Sequence, residues 1–200
     1  MRTRISVVVW MLVVICFFFT KQSLSQISVR TLSRSLDQLI EESDVIVHGS
    51  VVSSKIEPHP QLNNLMTVLV TMKVKETYKG KARNKLILRQ YIWNAKGGKS
   101  SEYRPGEDLV LLLGPTSEYG LSSPAGLEQG RFRVMADGNH RLTVINGRAN
   151  IGLFDHLEQS ARARSIPLSA HLRAVVRNHQ QGPLLLPDLE EAIRAFTRPH

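Results

Sequence analysis

Cysteine is almost missing from this sequence. The single one, Cys16, lies inside an apolar run near the N-terminus. A domain without Cys16 has no disulfides to staple it and must be held by its core, which 200 residues permit. Metal-ligand spacing is missing too. The seven histidines, His48, His59, His140, His156, His171, His179 and His200, are scattered, and none forms an H-x-x-x-H pair. His171 and His179 are expected to face solvent. Acidic residues are outnumbered, 17 against 26 basic, for a net charge of +9.

The motifs of enzymes are absent in the same way. Gly97-Gly98-Lys99-Ser100 matches the end of a phosphate-binding loop, but the position that needs the earlier glycine holds Trp93. The GLSSPAG stretch lacks the G-x-S-x-G spacing of a nucleophile elbow. Glu107 and Asp108 are neighbours, so on a strand they point to opposite faces and cannot work as a carboxylate pair; Glu107 is expected to help close the turn at Gly106. No catalytic residue, metal or cofactor is assigned.

What the N-terminus does contain is specific. MRTR supplies positive charge, Ile5 to Phe19 is an uncharged run, and small residues follow at Ser23 and Ser25. The run is about 15 residues, short of the ~20 that span a bilayer. This pattern predicts a signal peptide over 1–25, cleaved after Ser25, and a secreted or periplasmic protein. The alternative is an uncleaved anchor, and membrane contact is expected only through that segment. Removing Arg2, Arg4 and Lys21 leaves 23 basic residues against 17 acidic, a charge of +6. The lack of cysteine in the exported part fits a bacterial source better than an animal one.

The stretch TVLVTMKVKETYKG, residues 67–80, alternates. Met66, Val68, Val70, Met72 and Val74 share one face, and Thr67, Thr71, Lys73 and Lys75 the other. Twelve residues would span roughly 40 Å, too long to stay flat, so a coiled strand of a small barrel is predicted. DVIVHGSVVSS gives the preceding strand, with a bend at Gly49. Residues 55–64 read as a loop. KLILRQYIW is a third strand, with Leu86, Leu88 and Ile92 on one face and Ile87, Arg89, Tyr91 and Trp93 on the other. NAKGGKSSEY is a loop. Leu109 to Leu113 is an apolar strand predicted to be buried on both faces, and residues 114–126 are a loop. GRFRVMADGNHRLTVING is a hairpin around Asp137-Gly138. Helices are predicted at 35–42, capped by Ser35, and at 168–179 and 187–196, with a polar helix-prone stretch at 155–165. The expected division is a barrel over 26–150 with a leading helix, then a helical extension over 151–200. The class is mainly β: an antiparallel OB-like barrel with short peripheral helices at both ends.

The segments SLDQLIEESDVIVHGSVVS, VTMKVKETYKG, YRPGEDLVLLLG and GLEQGRFRV resemble a family of uncharacterised secreted bacterial proteins. Their order is similar to the netrin-like, OB-type barrel of the tissue inhibitors of metalloproteinases. The resemblance covers a little over half of the chain. Those inhibitors reach a catalytic zinc with an N-terminal cysteine, which is absent here, so their inhibitory chemistry does not carry over.

The expectation is an exported, non-catalytic interaction module whose partner is an extracytoplasmic protein. The alternative is an OB-type ligand-binding domain for oligosaccharide or nucleic acid, with nucleic acid the less favoured ligand. Arg89, Tyr91 and Trp93, sharing one strand face, are the expected contact residues. Exposure of Tyr91 and Trp93 would favour the ligand-binding domain, whereas an intact apolar seam under the C-terminal helices would favour the interaction module.

Overall fold

A computed structural model describes residues 32–92 and 103–198. Helix α1 (Leu36–Glu41) opens it. Strands β1 (Val45–Pro58), β2 (Met66–Lys79), β3 (Lys85–Tyr91) and β4 (Asp108–Leu113) follow. A 3-10 turn at Leu127–Gly130 leads into β5 (Arg131–Ala136) and β6 (Leu142–Asn146). Then come α2 (Leu157–Ala163), α3 (Ala170–Asn178), the short β7 (Leu184–Leu185) and α4 (Leu186–Thr197). The predicted leader over 1–25, Trp93 and most of the 94–106 loop lie outside the described residues.

The strands form one antiparallel sheet in the order β3-β2-β1-β4-β5-β6-β7. It is open, ending at β3 and β7. The segment after β4 bends back across it. Pro124 bridges to Leu113, and the Ser122 N–H donates to the Arg89 carbonyl of β3 at 2.8 Å.

Alternation places Val68, Val70, Met72 and Val74 of β2 in the core, as predicted. Three register shifts in β1 absorb the coil of the long β1–β2 pair. One falls at Gly49, where an added Cβ would sit 2.4 Å from the Lys73 carbonyl oxygen, so only glycine lets the two backbones approach there. The predicted loop at 55–64 is shorter than expected. β1 continues through Lys55, Ile56, Glu57 and Pro58, paired with Leu69, Val68, Thr67 and Met66. Its polar side chains mark an outward strand face, and Pro58 sits at the strand end, where a missing N–H is tolerated.

β4 is buried on both faces because two cores meet on it. Leu109, Leu111 and Leu113 pack with Val47, Val51, Val70, Met72, Leu86, Leu88 and Tyr103. Val110 and Leu112 pack on the other side with α1, β5, β6 and the C-terminal helices. Leu186, Leu189, Ala192 and Ile193 of α4 are buried there, so this helix is part of a core rather than a peripheral element. At 25 cal/mol per Å² of apolar surface, each of the buried leucines and Ile193 contributes on the order of 2 kcal/mol.

Two details depart from expectation. Asp137-Gly138 is not a two-residue turn. Ala136 pairs with Leu142, leaving a five-residue loop in which the Asp137 carboxylate accepts from the N–H groups of Asn139 and Arg141 and from the Arg141 guanidinium. The left-handed residue of that loop is His140, at φ 60°. His171 is exposed as predicted, but His179 is not: its ring packs edge-on against Phe154 at 5.8 Å, and burial pushes its pKa down.

A buried asparagine pair joins the hairpin to the C-terminal segment. Asn146 and Asn150 each accept the other's backbone N–H, at 2.8 and 2.9 Å. The Asn150 amide also donates to the carbonyls of Val144 and Gly182. These bonds satisfy polar groups that burial would otherwise leave unpaired.

Candidate binding face

The register of β1, β2 and β3 builds a face from rows of side chains, because directly opposed residues in an antiparallel ladder point the same way. Glu57, Thr67 and Tyr91 form one row; Lys55, Leu69 and Arg89 the next. Ser53, Thr71 and Ile87 form a third, and Ser50, Lys73 and Lys85 a fourth. The opposite faces of these strands carry the core residues Val68, Val70, Met72, Leu86 and Leu88, so the rows point away from that core.

Arg89 and Tyr91 therefore share the predicted face, in adjacent rows two residues apart along β3. Arg89 lies over β2. It donates to Thr67 Oγ1 at 2.8 Å and to Glu57 Oε1 at 2.8 Å. Lys55 pairs with the same carboxylate at 3.0 Å. Hydrogen bonds from Lys55 and then Arg89 hold the Glu57 carboxyl below its usual range. Arg89 is thus fixed in place, its side chain 15% exposed. Trp93 lies outside the described residues.

Helix α4 meets β2 near Tyr78, at the far end of that strand from the rows of Tyr91 and Arg89. Ile87 is 57% exposed, and Val52, the extra residue of the neighbouring β1 bulge, is 58% exposed. Neither is among the contact residues expected from the sequence. Ile87 was legible from its parity with Arg89 and Tyr91; the exposure of Val52 depends on the bulge.

A second cluster of polar groups lies where α4 meets the sheet. His48, nearly buried, has Nε2 3.3 Å from Asp108 Oδ2 and Nδ1 3.5 Å from Glu190 Oε1. Lys75 donates to Asp108 Oδ2 at 2.7 Å, and Tyr78 donates to Glu190 Oε1 at 2.6 Å. Burial, and then the Glu190 carboxylate, push the Tyr78 phenol well above its usual pKa, so it stays a proton donor. Arg194 pairs with Glu76 and Glu190 and lies 5.2 Å over the Tyr78 ring. His48, Glu76 and Tyr78 of the strands reach Glu190 and Arg194 of the helix, while Lys75 and Asp108 join strand to strand, and no hydroxyl or thiol in the cluster is set up for attack beside the imidazole. It is a clamp for α4.

As expected from the sequence, the Glu107 carboxylate accepts the Arg104 N–H at 3.2 Å and closes the turn before β4. Among the described residues, no three His, Cys, Asp or Glu side chains are grouped to hold a metal ion. Among them, too, no helix is long and apolar enough to cross a membrane. No family model, curated protein or solved structure matches this sequence.

Proposed function

We propose that this chain is an exported, non-catalytic interaction module that binds an extracytoplasmic protein through the outer face of β1–β2–β3. The N-terminal sequence supports export. The observation that carries the binding reading is the composition of the face: exposed Ile87 and Val52 beside a fixed Arg89 and a strand-end Tyr91, away from where α4 packs. Mixed aliphatic, aromatic and arginine surface is the composition of protein interfaces. Oligosaccharide or nucleic-acid ligands fit less well, because Ile87 and Val52 offer neither a stacking ring nor a hydrogen bond.

The β3-β2-β1-β4 half, with Ser122 reaching Arg89, supports an OB-like, netrin-like barrel. That half carries the motifs resembling uncharacterised secreted bacterial proteins and the tissue inhibitors of metalloproteinases.

The test is affinity capture from periplasmic or secreted fractions with the mature chain, repeated with the Tyr91→Ala, Trp93→Ala double variant. A specific protein held by the parent and lost by the still-folded variant supports the proposal. Reproducible turnover of a peptide, ester or glycoside by the pure protein would overturn it.

A further inference from the structure

The β2–β3 end of the same face carries a group of cations that the described chain does not neutralise. Lys73 and Lys85 are directly opposite each other in the ladder, and both are exposed. Like charges so placed repel and weaken a strand pair. Lys81 and Arg83 lie in the turn that joins the two strands, and the Arg83 guanidinium is used only on the Lys81 carbonyl. The acids of the surrounding strands are already engaged. Glu57 is held by Lys55 and Arg89, Glu76 by Arg194, and Asp108 by Lys75. Asp44, near the turn at Gly80, makes no ion pair among the described residues. Next to the lysine pair comes the row with exposed Ile87.

From these placements we infer that the outer face of β2–β3, beside the turn that joins them, docks an acidic segment of a partner protein. Its carboxylates meet Lys73 and Lys85, and its aliphatic side chains cover Ile87. The inference rests on the proposed interaction module and names the chemistry of its partner. The six-residue step from Lys85 to Tyr91 is about 20 Å of strand, so a partner segment of about seven extended residues reaches from the lysine pair to the tyrosine row. A protein segment is favoured over other polyanions because Ile87 lies between the charges and the ring: an alternating acidic and aliphatic strand matches both, whereas a nucleic acid or sulfated sugar leaves the isoleucine uncovered.

The experiment measures fluorescence anisotropy of a labelled decapeptide alternating Glu with Leu and Thr, kept below its own association concentration. The mature chain is compared with Lys73→Glu/Lys85→Glu and with Ile87→Ser. Each variant is first checked for a parental melting curve. A single-stranded oligonucleotide and vesicles containing phosphatidylglycerol serve as competing probes. We expect saturable peptide binding that weakens with added salt, falls at least about tenfold in the charge-reversed variant, and also weakens in Ile87→Ser. Equal peptide affinity in parent and charge-reversed variant overturns the inference, as does tighter binding of the oligonucleotide or the vesicles. So does undetectable peptide binding by the parent. Any of these results with Tyr91- and Trp93-dependent capture intact refutes the acidic partner alone; loss of that capture result would refute the interaction module itself.

Discussion

Arg89 and Glu57 meet across an intervening strand: the guanidinium of β3 reaches over Thr67 of β2 to the carboxylate of β1, 2.8 Å away. One side chain thus ties three strands on the face proposed for binding. Because Glu57 has a lowered pKa, its sign is fixed. The pair contributes stability above the unfolded carboxylate value of about 4.3 and loses it as pH falls through the folded value. Glu57→Gln should therefore melt below the parent at pH 7, and the gap should close as the parent is acidified below about pH 4. Melting curves across that range check this; a gap that widened in acid would contradict the geometry.

His171 and Asp188 give the opposite sign. The hydrogen bond from His171 Nε2 to Asp188, 2.8 Å, and then the carboxylate charge raise the histidine pKa. The stabilising contact between α3 and α4 is fully present below about pH 6.5 and is lost as pH rises through the raised value. His171→Asn should lower the melting temperature at pH 6 and leave it unchanged at pH 9, as read by thermal denaturation.

The two cores on β4 predict an unusual symmetry. Leu111 and Leu112 are neighbours, yet each is buried in a different cluster. Leu111→Ala and Leu112→Ala should each cost about 2–5 kcal/mol in denaturant unfolding. A strand with one solvent face would show one large value and one near zero. Val70→Asp, which places an unpaired charge in the β1–β4 core, should cost several kcal/mol and abolish folding.

Asn150→Ala should cost more than about 2 kcal/mol, because it strands the Asn146 N–H and the Val144 and Gly182 carbonyls in buried surroundings. Asn146→Ala and the double variant complete a mutant cycle. A coupling near zero would mean that the two side chains do not act as one unit.

Which of these features could be read from the chain follows from their range. Alternation in 66–79 and the apolar run Leu109 to Leu113 reported the long strand and the doubly buried one, since each pattern is set by the strand's own faces. Ser35 was legible as the start of α1, where its N–H is taken by the Gln38 side chain. Arg89 and Tyr91 were placed on one face by parity alone. The Asn146–Asn150 pair was not legible, because two asparagines four residues apart read as loop composition. Nor was the clamp, since His48 and Glu190 are far apart in sequence and meet only when α4 packs on the sheet. The longer β1 was missed because Lys55 and Glu57 look like loop residues until Leu69 and Thr67 are paired opposite them.

If the outer face of β1–β2–β3 contacts a protein, as proposed, a photo-crosslinker placed on that face captures it. Ile87 is replaced with benzoylphenylalanine in the full-length chain, and Arg173, an exposed residue of α3, is replaced likewise as the comparison. Irradiation of living cells should give one discrete adduct from position 87, identifiable by mass spectrometry, and none of that mass from position 173. An adduct from position 173 alone, or no protein adduct from position 87, would contradict the claim.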